Sequence, residues 1–246
     1  MTTVRAQERA TPIDPEGSRF SLPRRAAAEF VGTGLLVAIV VGSGIMAQRL
    51  SPDDTGLQLL QSSLATTLGL AVLIVVFIGV SGAHFNPVVT LVAALLGGAD
   101  RSRGQVAAYV AAQLAGGVAG ALLANAMFDL PSSFSATGRV TPGSLLSEVV
   151  ATTGLVLVIF VLARSCRTSF IGAAVGAYIG AAYWFTSSTA FANPAVTVGR
   201  IFTDTFAGIS PESALPFIGA QLVGGAIGAA LTVIFSRKPN GITQAK

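Results

Sequence analysis

Residues 81–90 read Ser-Gly-Ala-His-Phe-Asn-Pro-Val-Val-Thr, and residues 191–197 read Phe-Ala-Asn-Pro-Ala-Val-Thr. Each Asn-Pro pair lies in a run without Asp, Glu, Lys or Arg: 59–99 around the first and 168–199 around the second. Both runs exceed the roughly 20 apolar residues that a helix needs to cross a bilayer. Each therefore reads as a full span followed by a short apolar piece that starts at a proline. Asn is a strong N-cap, and Pro is favoured in the first helical position. Broken backbone at membrane depth is tolerated only inside protein or beside a water-filled cavity. The two motifs therefore predict two re-entrant half-helices, beginning at Pro87 and Pro194.

The rest of the chain supports a membrane setting. Its 246 residues include only 15 Lys and Arg and 11 Asp and Glu, and 52% are hydrophobic. Mean hydropathy is +0.72. So few charges cannot give a soluble globule of this size a normal polar surface. There is no run of five basic residues and no basic stripe interleaved with aromatics, so nucleic acid is not an expected partner. Six stretches are long and apolar enough to span, at roughly 26–46, 59–82, 105–128, 145–163, 169–188 and 213–235. Residues 1–24 and 237–246 form polar tails. With the N-terminus in the cytoplasm, the inside carries Arg5, Arg9, Arg19, Arg24, Arg25, Arg101, Arg103, Arg164, Arg167, Arg237, Lys238 and Lys246. The outside carries only Arg49, Arg139 and Arg200. This positive-inside bias requires an even number of spans, with both termini cytoplasmic. The first 25 residues lack the apolar core of a signal peptide.

Two halves repeat. Ala112-Gln113-Leu114-Ala115-Gly116-Gly117 matches Ala220-Gln221-Leu222-Val223-Gly224-Gly225, and Glu29 corresponds to Glu148. Three spans per copy invert the second copy, giving repeats at 25–128 and 145–236 within one channel domain, 25–236. Inverted repeats with interrupted helices mark a solute path near the bilayer midplane. Two half-helix N-termini meeting there repel cations, including a migrating proton. Asn86 and Asn193 can offer amide N–H donors to a passing oxygen. Glu29 and Glu148 are the ionisable residues well inside spans, so they face protein interior. A proton-coupling role is the functional alternative to a structural one, but no intramembrane Lys, Arg or Asp offers a relay partner. Gly116, Gly117, Gly120, Gly224, Gly225 and Gly228 have the small-residue spacing of close helix crossings. Cys166 reads as a free thiol in a loop. No His/Cys cluster, P-loop or dinucleotide fingerprint is present, so neither enzyme activity, cofactor nor metal is expected.

The segment Ser81–Thr90 resembles the first signature of the aquaporin, or major intrinsic protein, family, and Asn193-Pro194-Ala195 resembles its second. With Glu29, Glu148 and the six-span layout, the resemblance covers roughly residues 25–236. It implies an all-α membrane channel with six spans, two half-helices and one pore per subunit of a homotetramer. It also implies that the glutamates hold the motif loops and that His84 lines the cytoplasmic half of the pore, with pH gating the lesser alternative. The stretch Phe185–Thr197 is similar to a bacterial branch associated with arsenic resistance. The first motif carries Val88 where the family has Ala, a change that only adds bulk. The Arg commonly placed after the second motif is Val196. Counting from the motifs puts the remaining filter positions at Thr66, Ala181 and Ala190, with the first and second uncertain by a residue or two. These four predict a wide, weakly polar constriction without a fixed cation. Arg200, one helical turn beyond Val196, would stand over the outer vestibule or snorkel to the interface. The expected permeants are neutral: glycerol-like polyols, undissociated metalloid hydroxides such as arsenite, and water. A water-selective channel on the same fold is the main alternative, and a coupled secondary transporter a weaker one.

Overall fold

The computed structural model describes residues 20–97, 102–165 and 167–236. Cys166, Arg101 and most of both tails lie outside them. The described residues form helices only. In chain order they are α1 (Leu22–Leu50), α2 (Thr55–Ser81), α3 (Pro87–Leu96), α4 (Arg103–Met127), α5 (Pro142–Arg164), α6 (Ile171–Phe185), α7 (Pro194–Gly199) and α8 (Pro211–Ser236). A 3-10 turn, Thr168–Phe170, leads into α6, and another, Arg200–Phe202, continues α7.

Six of these helices are long and apolar enough to cross a membrane. The shortest, α6 with its leading turn, has 18 residues. At 1.5 Å per residue that is about 27 Å, close to the thickness of a hydrocarbon core. The two remaining helices, α3 and α7, are the pieces that follow the Asn-Pro pairs. They have 10 and 6 residues, too few to cross.

The helix starts follow local chemistry. Asn86 Oδ1 accepts the Val88 N–H at 2.9 Å, and Asn193 Oδ1 accepts the Ala195 and Val196 N–H groups at 2.9 and 3.3 Å. Thr141 and Ser144 form a reciprocal capping box ahead of α5.

Packing repeats in the two halves. Helix α1 lies against α2 and α4, and α5 lies against α6 and α8. Helices α2 and α6 join the halves. Each half-helix also reaches across: α7 packs chiefly on α4, and α3 packs on both α4 and α8. The glycines permit this approach. A Cβ on Gly117 would lie 2.5 Å from the Ala195 carbonyl oxygen, and one on Gly224 would lie 2.5 Å from the Val149 carbonyl oxygen. Neither separation is sterically possible, so backbone contact here depends on the missing side chain.

Candidate pore and filter

The two motif loops are built alike. Ala83 and Phe85 before the first Asn, and Ala190 and Ala192 before the second, have φ values of 51°, 49°, 49° and 47°. This left-handed backbone is unfavourable for residues with a side chain. A buried carboxylate holds it in each half. Glu29 accepts from Ser81 Oγ at 2.6 Å, His84 N at 3.0 Å, Phe85 N at 2.6 Å and Gln113 Nε2 at 2.8 Å. Glu148 accepts from Phe191 N at 2.9 Å, Ala192 N at 2.8 Å and Gln221 Nε2 at 2.7 Å. Both glutamates are fully buried. The partners are those of a loop clamp, with the paired glutamines completing it: Gln113 Nε2 also donates to Thr90 Oγ1 and Gln221 Nε2 to Thr197 Oγ1, each at 2.9 Å.

The asparagines meet at the centre. Asn86 Nδ2 donates to the Ala192 carbonyl and Asn193 Nδ2 to the Phe85 carbonyl, both at 2.8 Å. Each amide oxygen is taken by its own helix cap, and one N–H by the opposite loop. A primary amide carries two N–H bonds, so one donor per Asn is left for the lumen that both residues line. Pro87, Val88, Pro194 and Ala195 do not line it. Val88 instead packs where a Gly225 side chain would be.

The central cavity is about 60 Å³ in volume. Its wall is mostly aliphatic. Thr66, Leu70, Ile74 and Ile78 come from α2, and Ile171, Val175, Ile179 and Tyr183 from α6. Spacing of four residues keeps each series on one helix face. His84 lines the cavity as well. Its Nδ1 lies 3.0 Å from Thr90 Oγ1, and its ring stacks edge-on against Tyr109 with centroids 5.4 Å apart.

Three of the four expected filter residues, Thr66, Ala190 and Val196, are buried and line this cavity. Ala181 does not: it is exposed on the outside of α6. The register there differs from the counted one. Gly172 and Gly176 turn one face of α6 onto α2, the four-residue series ending at Tyr183 turns a second face to the lumen, and Ala181 falls on neither. Tyr183 takes the lumenal place two residues on, and its hydroxyl lies 3.2 Å from Thr66 Oγ1.

Arg200 adds to the cavity wall a cation that the four counted filter positions lack. Arg200 is 4% exposed and lines the same cavity. It sits in the 3-10 turn beyond α7, donates from Nε to the Ala207 carbonyl, and lies over the Phe191 ring at 3.5 Å from its centroid. It is therefore held within the protein, not snorkelled to the interface. Sequence counting missed Tyr183, although the series Ile171, Val175, Ile179, Tyr183 was a readable signal.

Arg139 joins Arg200 in a second cavity of about 210 Å³ at this end. It donates from Nε to the Gly208 carbonyl at 2.6 Å and from Nη2 to the Phe206 carbonyl at 2.8 Å. Burial lowers its pKa from the ordinary value, because desolvation disfavours the charged form.

Comparison with known proteins agrees with this architecture. The profile of the major intrinsic protein family matches residues 16–188, which includes the first motif and stops short of the second. Aquaglyceroporin AqpS of Rhizobium meliloti is 51% identical over 213 residues, covering 86% of this chain and 90% of that protein. The glycerol uptake facilitator protein of Streptococcus pneumoniae is 31% identical over 226 residues, covering 84% and 95%. The crystal structure of the aquaglyceroporin from Plasmodium falciparum superposes with a TM-score of 0.61 at 23% identity, covering 87% and 95% of the two chains. The last similarity concerns the fold alone. Taken with the paired Asn-Pro half-helices, these matches establish that the chain belongs to the major intrinsic protein family of membrane channels.

Proposed function

We propose that the protein is a passive channel for small neutral solutes of the glycerol class. The observation that carries this reading is the mixed lining near Arg200. Ala190 and Val196 are small or apolar, while the Thr66 and Tyr183 hydroxyls and the Arg200 guanidinium are polar. A polyol has carbon on one side and hydroxyls on the other, so such a lining can replace its lost hydration without excluding its carbon chain. The names of the similar proteins, an aquaglyceroporin and a glycerol facilitator, support the same solute class.

The reading extends to undissociated metalloid hydroxides such as arsenous acid, which are neutral, compact and polyhydroxylated like glycerol, and to water. In this reading Asn86 and Asn193 orient the passing oxygen. Thr66, Tyr183, Ala190, Val196 and Arg200 form the filter, while Glu29 and Glu148 hold the loops. The chain sits in the cell membrane with both termini inside and the Arg200 end outside, a reading that its Lys and Arg distribution supports. It assembles as a homotetramer with a pore in each subunit.

Purified protein in liposomes tests the solute class. Arsenous acid and glycerol uptake should both rise above empty liposomes, scale linearly with solute concentration, and ignore an imposed proton gradient. Water flux without uptake of either solute would favour the water-selective alternative. Saturable, gradient-driven uptake would favour a coupled transporter.

A further inference from the structure

Two arginines stand in the cavity at the Arg200 end, and among the described residues neither makes a hydrogen bond to a carboxylate. Arg139 comes from the loop before α5, and Arg200 from the turn after α7. Both guanidinium groups lie on the same aromatic ring, with Cζ 5.4 and 3.5 Å from the Phe191 centroid. Their protein partners are carbonyl oxygens of residues 206–208. These bonds use Nε and Nη2 of Arg139 and Nε of Arg200. Among the described residues, Arg139 Nη1 and both terminal nitrogens of Arg200 have no hydrogen-bond partner.

The nearby carboxylates spend their hydrogen bonds elsewhere, although the Glu148 charge acts on Arg200 across space. Glu148 is occupied by the Phe191, Ala192 and Gln221 donors. Asp204 accepts from Ala136 N at 3.0 Å and Ser135 Oγ at 3.4 Å, and it is exposed. The cavity also receives Tyr183, Thr55, Ser62 and Thr189, which add hydroxyls and no charge. Two cations sharing a partly enclosed pocket repel one another, and a concave wall of one sign concentrates counter-ions. Guanidinium groups with free terminal nitrogens match the spacing of oxyanion oxygens and bind them by charge-assisted hydrogen bonds.

We propose that this vestibule is a binding site for a small oxyanion, bridged by Arg139 and Arg200. The bound anion stands across the entrance to the central cavity and blocks permeation from that side. The site adjoins the path of neutral solutes and shares Arg200 and Tyr183 with it, and it makes the channel sensitive to the anions outside the cell.

Sulfate is the probe. Full-length protein in detergent is titrated with sodium sulfate in a calorimeter, against sodium chloride at matched ionic strength. Wild type should bind sulfate saturably, R139Q should bind at least about tenfold more weakly, and R139K should fall between them. In liposomes, osmotic water flux should fall when sulfate replaces chloride on the Arg200 side and stay constant when it does so on the other. Absence of saturable sulfate binding to wild type, unchanged binding by R139Q, or equal block from both sides would overturn the proposal. If R139Q does not fold, the R139K affinity and the sidedness of block in wild type still decide it. None of these readouts uses glycerol, so failure here leaves the solute reading intact.

Discussion

Replacing Glu148 with Gln separates a loop clamp from a proton-coupling site. The carboxylate takes the Phe191 N–H on one oxygen, and the Ala192 N–H and Gln221 Nε2 on the other. Gln keeps one acceptor oxygen and turns the other into a donor. Either way round, one backbone N–H then faces an N–H group. A hydrogen bond to a charged acceptor contributes about 1.5–3 kcal/mol, and a stranded buried donor costs about 1–3 kcal/mol more. We expect E148Q to lose about 3–5 kcal/mol on these terms. At roughly 2–4 °C per kcal/mol for a chain of this size, its apparent unfolding midpoint should fall by roughly 6–20 °C. Solute flux should fall with it, because the same loop positions Ala190 and presents the Ala192 carbonyl to Asn86. Thermal unfolding in detergent and flux in liposomes measure both effects. A proton-coupling role predicts a normal midpoint with a lost response to a proton gradient. An E148Q protein with wild-type midpoint and wild-type flux would refute the clamp.

Four further substitutions test the pore. Val196→Arg adds a second long cation beside Arg200, and glycerol flux should drop by about tenfold or more while water flux drops less, as stopped-flow light scattering will measure. Tyr183→Ala removes the bulkiest neutral residue of the lumenal series on α6, and five-carbon polyols should then enter faster than through wild type, as isotope uptake will report; Ala181→Trp, on the outer face of the same helix, should leave solute size selection unchanged. Gly117→Val forces a side chain into the Ala195 carbonyl. The overpacking should cost about 1–3 kcal/mol and displace α7, so a lower melting midpoint and reduced flux should appear together.

The two half-helices were legible because their chemistry is local. An Asn cap and a Pro in the first turn act within one segment, and the uncharged runs around them left no other place for broken backbone. Glu29 and Glu148 were legible for a similar reason, since a charge deep in an apolar span must find partners. The filter was legible only in part, because it joins residues from α2, α6, α7, the loop before α7 and the 3-10 turn after it. Counting backward from Asn193 assumes a fixed path through Thr186–Ala192. The register of α6 is set instead by tertiary packing, with its glycine face closed on α2. Tyr183 enters the lumen for that reason, and Ala181 turns away. Arg200 was placed one turn beyond Val196 by helical spacing, and it does line the cavity. Its anchoring depends on the Ala207 carbonyl and the Phe191 ring, which no local pattern joins to it. Arg139, 61 residues earlier in the chain than Arg200, drew no attention in the sequence beyond its place in the charge distribution.

A pore lined by Thr66, Tyr183, Ala190, Val196 and Arg200, as proposed above, should admit neutral polyols. Paired stopped-flow records of water and glycerol permeation, on the same liposomes at the same protein density, test it most directly. Glycerol should permeate well above the level of empty liposomes, in proportion to protein and without saturation, and Val196→Arg should reduce it. Water permeation alone, with glycerol at the level of empty liposomes, would contradict it.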